Sequence, residues 1–136
     1  MKNALLWVDV ASTLVGVALA VRFGPRTPAW YAGLPLAAVS IALWITARLQ
    51  LGGSFSVTAQ ARQLVTTGLY SRIRNPIYVF GGLANLGVVV ALQIGWLYPL
   101  WAAMVPLQVL RVRRERKVLA EAFGAAYQEY RARTWF

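Results

Sequence analysis

The run Trp30–Ala47, WYAGLPLAAVSIALWITA, carries no charged residue. Its length is close to the ~20 apolar residues a helix needs to cross a bilayer. Upstream, a Gly/Pro-rich turn, Arg22–Pro28, separates it from a first apolar segment, Ala4–Val21. Downstream, the linker Arg48–Asn75 carries charge of one sign only. A third apolar segment, Ile77–Leu92, follows; it is short for a span and must take length from its flanks or tilt among its neighbours. The turn Gln93-Ile94-Gly95 leads to a fourth segment, Trp96–Val112, and then to a polar tail, Arg113–Phe136. The expected fold is a single all-α integral membrane domain. It has four transmembrane helices and a cytoplasmic amphipathic C-terminal helix. A fifth segment arises if the linker holds an interfacial helix.

Composition agrees. Apolar residues make up 59% of the chain and charged residues 13%, which departs from a soluble domain in the direction of a membrane protein. The net charge of +10 could suggest nucleic acid, but the cations sit at the ends of apolar segments and not along one polar face. Their distribution instead sets orientation. Every Lys and Arg except Arg22 and Arg26 falls on the side of the N-terminus, Arg62 in the linker included. Both termini are therefore expected in the cytoplasm. Lys2, the apolar run and Ala18-Leu19-Ala20 also fit a signal peptide. Against that, Asp9 interrupts the run, and cleavage would leave three spans that match the charge bias less well.

The chain has no cysteine and no histidine. Thiol chemistry, thiolate metal sites and imidazole base catalysis are excluded. Asp9, Glu115, Glu121 and Glu129 do not cluster, so no metal site built from protein side chains is expected.

Three elements carry chemistry. In Arg74-Asn75-Pro76-Ile77-Tyr78, Pro76 suits the first turn of the third span and pushes Asn75 toward extended geometry. The free N–H groups of that turn would attract an anion, and Arg74 adds a carboxylate-matching fork. The same pattern serves a plain helix start with a topogenic arginine. In Thr66-Thr67-Gly68-Leu69-Tyr70, Gly68 permits a tight turn and close approach of backbone to a ligand. Glu115 follows Arg111 by one helical turn and is flanked by Arg113, Arg114, Arg116 and Lys117. An ionised carboxylate there could take a ligand's ammonium group or form a local ion pair. In the tail, Leu119, Phe123, Tyr127 and Tyr130 form a helical stripe. That stripe fits a helix lying on the membrane, with Trp135 as interface anchor, or one covering a site.

The run Leu64–Tyr78, with Glu115, Leu119, Phe123-Gly124, Tyr127 and Tyr130, resembles the isoprenylcysteine carboxyl methyltransferase and phospholipid methyltransferase superfamily. That signature reads Gly-Pro-Tyr, Arg-His/Asn-Pro-x-Tyr, then Glu-Glu before Leu-x3-Phe-Gly-x2-Tyr. The likeness covers about 63–131. It implies an integral-membrane methyltransferase using S-adenosylmethionine and acting on a lipophilic small molecule or a membrane lipid at the cytoplasmic face, with no nucleic-acid partner. By the same likeness Val65, Gly68, Tyr70, Arg74, Asn75, Pro76, Tyr78 and Glu115 line the cofactor site, and Arg111 and Glu115 are the candidates for a catalytic role. Three departures stand out. Asn75 replaces the frequent histidine and cannot titrate. Arg116 replaces the second glutamate. Leu69 replaces a proline.

Transfer from a sulfonium requires neither a nucleophilic side chain nor a metal, so positioning and electrostatics suffice. A carboxylate acceptor needs no base. An amine must lose a proton, with Glu115 and the tyrosines as the only nearby acceptors, which favours a carboxylate, thiolate or neutral group. Asn85 and Gln108, polar residues within spans, bond helix to helix or line an acceptor path. Gly81, Gly82 and Gly87 permit close packing, and Pro99 and Pro106 are expected to bend the fourth span. Two other readings stay open. One is an NADPH-dependent membrane reductase of related fold, and the other is a non-catalytic family member.

Overall fold

A computed structural model of the chain describes residues 2–52 and 64–136. The middle of the linker, with Arg62, lies outside them, as does any interfacial helix there. Among the described residues there are four α-helices: α1 (Lys2–Phe23), α2 (Pro28–Leu51), α3 (Pro76–Leu92) and α4 (Leu97–Arg133). A short 3-10 turn, Gly68–Ser71, precedes α3. Among the described residues there is no strand, only an isolated parallel bridge between Ile73 and Trp135.

Local sequence sets the helix ends. Thr27 caps α2, its side chain accepting from the Trp30 N–H, and Pro28 occupies the first turn, where no N–H is needed. Gly52, with φ 48°, closes α2 by bonding its N–H to the Arg48 carbonyl. Pro76 opens α3, and Gln93 ends it in a left-handed conformation, its N–H on Val89 O.

The α2–α3 pair is the centre of the fold, and small residues make it. A Cβ added to Gly87 would lie 2.5 Å from Ala37 N, and one on Gly33 would lie 2.6 Å from Ala91 N. The two backbones therefore touch, as at small-residue crossings in membrane bundles. Toward the loop end the seam widens to hold Trp44 against Gly81, beside buried Ile41, Ala47, Ile77 and Ala84. Helix α1 runs parallel to α3. Thr13 Oγ1 shares its proton between Asp9 O (2.8 Å) and Asn85 Oδ1 (3.1 Å), and Gly16 faces Val88. Asn85 is thus a helix-to-helix contact. Asp9 itself is exposed.

The order is up–down–up–down. Both short turns meet at one end, where Gln93 Nε2 donates to Thr27 Oγ1 (2.6 Å). The 64–75 loop and the polar half of α4 share the other end. Large apolar side chains such as Val15, Leu19, Val39, Leu100 and Leu107 face outward. By length and composition α2 can cross a bilayer, and α3 is apolar but shorter.

Helix α4 differs from expectation in two ways. The fourth apolar segment runs on as helix into the tail, through the change to polar side chains at Arg111, as far as Gly124, and a second helical stretch follows to Arg133. The break from helical dihedrals falls at Gly124 (φ 47°, ψ −119°) and not at a proline. Pro99 sits in the first turn, where it displaces no hydrogen bond, and Pro106 lies inside the helix.

Candidate active site

The loop from Leu64 to Asn75 is positioned by three neighbours. From α2, Gln50 Oε1 accepts the Leu69 N–H at 2.8 Å. Gly68 makes this possible: its φ is 61°, and a Cβ there would collide with the Gln50 side chain. Ser71 Oγ closes the turn on the Gly68 carbonyl. Val65 and Leu69 pack against the buried cluster of Trp44, Tyr70 and Ile77, so Val65 is a packing residue in this arrangement.

From α3, Tyr78 reaches α4, and its hydroxyl donates to Glu115 Oε1 in a short hydrogen bond. Glu115 is half-buried. The expected ion pair with Arg111 is replaced by this bond. Arg113, Arg114 and Lys117 point outward and Arg116 is half-buried, so the cationic neighbour that acts on Glu115 is Arg111. Burial raises the Glu115 carboxyl above its ordinary pKa, against the downward pull of the Tyr78 bond and Arg111. Its basic neighbours in sequence suggest a carboxyl held down; burial moves it up instead. Tyr70 lies close by. Its phenol is pushed well above its usual range, by burial first and then by Tyr130 and Glu115, with Arg48 opposing. Arg48, Tyr70, Tyr78, Arg111 and Glu115 thus form one electrostatic cluster at the loop end of the bundle.

From α4, the segment after Gly124 turns back over the loop. Tyr130 is buried and its hydroxyl donates to the Tyr70 carbonyl at 2.7 Å. That phenol's pKa is pushed up to about 12, chiefly by burial. Trp135 pairs by backbone with the loop: its N–H donates to Arg72 O (3.0 Å), and its carbonyl accepts from Arg74 N–H (3.2 Å). Arg74 Nη1 donates to Arg131 O (3.1 Å) and Asn75 Nδ2 to Phe136 O (2.8 Å). Burial, with Arg116 and Arg131 nearby, lowers the Arg74 pKa, and Tyr127 and Tyr130 oppose it.

These contacts divide the residues expected from sequence into two groups. Tyr70, Tyr78 and Glu115 face one another. Arg74 and Asn75 face the tail and are engaged by its carbonyls. Asn75 is extended in φ (−126°) but not in ψ (55°), because its carbonyl turns in to accept from Tyr78 and Val79. Pro76 has no N–H and Tyr78's is taken, so little of that helix end is left for an anion. The tail stripe covers the loop: Tyr127 and Tyr130 are buried, and Trp135 is 61% exposed.

Sequence reading missed Gln50, which no motif marks, and Arg48, which counted only toward charge. It placed Tyr130 in a stripe without a partner. On the α3–α4 face, Trp101 Nε1 donates to the Gly82 carbonyl (3.0 Å), and Gln108 lies beside Gly82.

A half-buried carboxylate with one phenolic donor and one cation can accept an ammonium group, and the Tyr70 and Tyr78 rings nearby suit a second positive centre. No curated protein and no solved structure was found to match the chain. The phospholipid methyltransferase family model matches residues 29–126, which take in the α2–α3 core, the loop, Tyr78 and Glu115. With more than half of its length matched, the chain belongs to the phospholipid methyltransferase family.

Proposed function

We propose that the protein is an integral-membrane methyltransferase that uses S-adenosylmethionine to methylate a lipophilic acceptor at the cytoplasmic face. The observation that carries the proposal is the Tyr78–Glu115 pair across α3 and α4, half-buried at the basic end of the bundle beside Tyr70. Four spans with both termini cytoplasmic fit the grouping of both short turns at one end and most cations at the other.

The donor set fits the cofactor. Glu115 would hold its ammonium, relieving the burial that now raises the carboxyl's pKa. Tyr70 and Tyr78 would offer ring faces to the sulfonium. Arg111 is the cation on hand for its carboxylate. Val65, Gly68 and Pro76 shape the loop, and Arg74 and Asn75 hold it to the tail. A bound cofactor would supply an activated methyl group on positive sulfur for an acceptor lone pair to take. The chain's own residues orient the partners and exclude water. The half-buried Glu115 is engaged, so an acceptor that needs no base, such as a carboxylate, suits the site best.

Calorimetric titration of the purified chain in detergent tests this. Saturable binding of S-adenosylmethionine, lost in Glu115→Ala, is expected. Binding of NADPH alone would point to a reductase, and binding of neither to a non-catalytic family member.

A further inference from the structure

The end of α4 does something the methyltransferase reading does not use. Residues 130–136 lie beyond the matched stretch 29–126. They nevertheless make four of the contacts that fix the loop: Tyr130 hydroxyl to Tyr70 O, Arg74 guanidinium to Arg131 O, Asn75 amide to Phe136 O, and the paired backbones of Arg72–Arg74 and Trp135. The segment reaches the loop through Gly124, whose φ of 47° is open to glycine and strained for other residues, and around which a Cβ would meet nothing within 4 Å.

A break at one end and hydrogen bonds at the other describe a cover with a hinge and a latch. The latch is polar, and its outermost side chains are open to solvent: Trp135 is 61% exposed and Phe136 39%. The solvent-facing bonds of Arg74 and Asn75 exchange for water at small net cost, so the main cost of release is exposing the buried rings of Tyr127 and Tyr130. While the latch holds, donors of Arg74 and Asn75 are occupied and the loop that carries Tyr70 is pinned.

We propose that residues 125–136 form a hinged cover over the cofactor loop, and that Tyr130 is the positioning residue whose bond to the Tyr70 carbonyl couples cover closure to cofactor retention. This rests on the methyltransferase reading.

The test uses the full chain in detergent with S-adenosylhomocysteine, the stable product analogue. Two quantities are read: its dissociation rate, and trypsin cleavage after the exposed Arg131 and Arg133. In the wild type the ligand should slow that cleavage several-fold. In Tyr130→Phe, loss of one buried hydrogen bond should raise the dissociation rate about five- to ten-fold and abolish the protection, while the ligand-free protein still melts cooperatively. Gly124→Ala, which drives residue 124 back to helical dihedrals, should do the same. A wild type that binds the ligand yet is cleaved at an unchanged rate, or a Tyr130→Phe protein that releases it no faster, overturns the cover alone. A folded wild type that binds no ligand overturns the methyltransferase reading, and the cover with it.

Discussion

Replacing Gly87 with alanine puts one methyl group into the tightest place in the bundle. The new Cβ would stand 2.5 Å from Ala37 N, 2.7 Å from Gly33 O and 2.9 Å from Ala37 Cα. All three are backbone atoms of α2, so no side chain can swing aside, and the helices must part. Overpacking of this kind costs about 1–3 kcal/mol. The same exchange also improves helix propensity by up to about 1 kcal/mol, which masks part of that cost. Gly82→Ala removes the ambiguity. It lies on the same helix and gains the same propensity, but its Cβ would meet only Gln108 Oε1 at 3.6 Å, an ordinary contact. The difference between the two variants isolates the packing term, and Gly87→Ala should be the less stable by about 1–3 kcal/mol. Gly81→Ala should fall between them, because its Cβ would approach the Trp44 ring at 3.2 Å and a ring can yield slightly. Reversible unfolding in mixed micelles of rising dodecyl sulfate content, followed by tryptophan fluorescence, gives these differences directly. Equal stability of Gly87→Ala and Gly82→Ala would refute the backbone contact between α2 and α3.

Three further outcomes are expected. Because burial holds the folded-state Glu115 carboxyl above 4.5, the fold binds more protons than the unfolded chain between 4.5 and that raised value. Stability should therefore fall as pH rises through this window in the wild type and stay flatter in Glu115→Gln, while cofactor affinity, which needs the ionised carboxylate, rises through it; pH-dependent melting and calorimetry measure both. Thr13→Val removes the hydroxyl between α1 and α3 and should destabilise by about 0.6 kcal/mol, and by no more than about 1.7, in the same micelle assay. The chain has no cysteine, so single cysteines at positions 24, 94 and 125 can be labelled cleanly. Positions 24 and 94 should react from outside and 125 from the cytoplasm; cytoplasmic labelling of 24 would reverse the orientation.

The helices were legible because uninterrupted apolar runs have few alternatives, and the start of α3 because Pro76 is a local signal; α2 runs past the expected Ala47 to Leu51, where Gly52 closes it. The roles of Gly87 and Asn85 followed from small and polar residues in apolar helices. The length of α4 was not legible. The change to polar side chains at Arg111 marks where the surroundings change, not where backbone bonding stops. Tyr78 and Glu115 were each visible as parts of a motif, but their pairing depends on the antiparallel register of α3 and α4, which no local pattern states. The tail contacts were hidden for a different reason: Arg131, Trp135 and Phe136 contribute main-chain carbonyls, which every residue has. The upward shift of Glu115 was not legible because sequence neighbours on a helix point in different directions, and three of its four adjacent cations point away.

The loop-to-tail bonds join residues 57 to 63 positions apart. The α2–α3 contact, by comparison, needs only chain already made by Leu92. Contacts of long sequence separation form late because their loop-closure entropy must be met first. During synthesis the helical frame can therefore assemble while the loop is still uncovered, and the loop acquires its tail partners only after Tyr130 has left the ribosome. A chain stopped between Val112 and Tyr130 would keep the bundle and lack the cover, so correct membrane insertion and a finished site are separate events in the life of this protein.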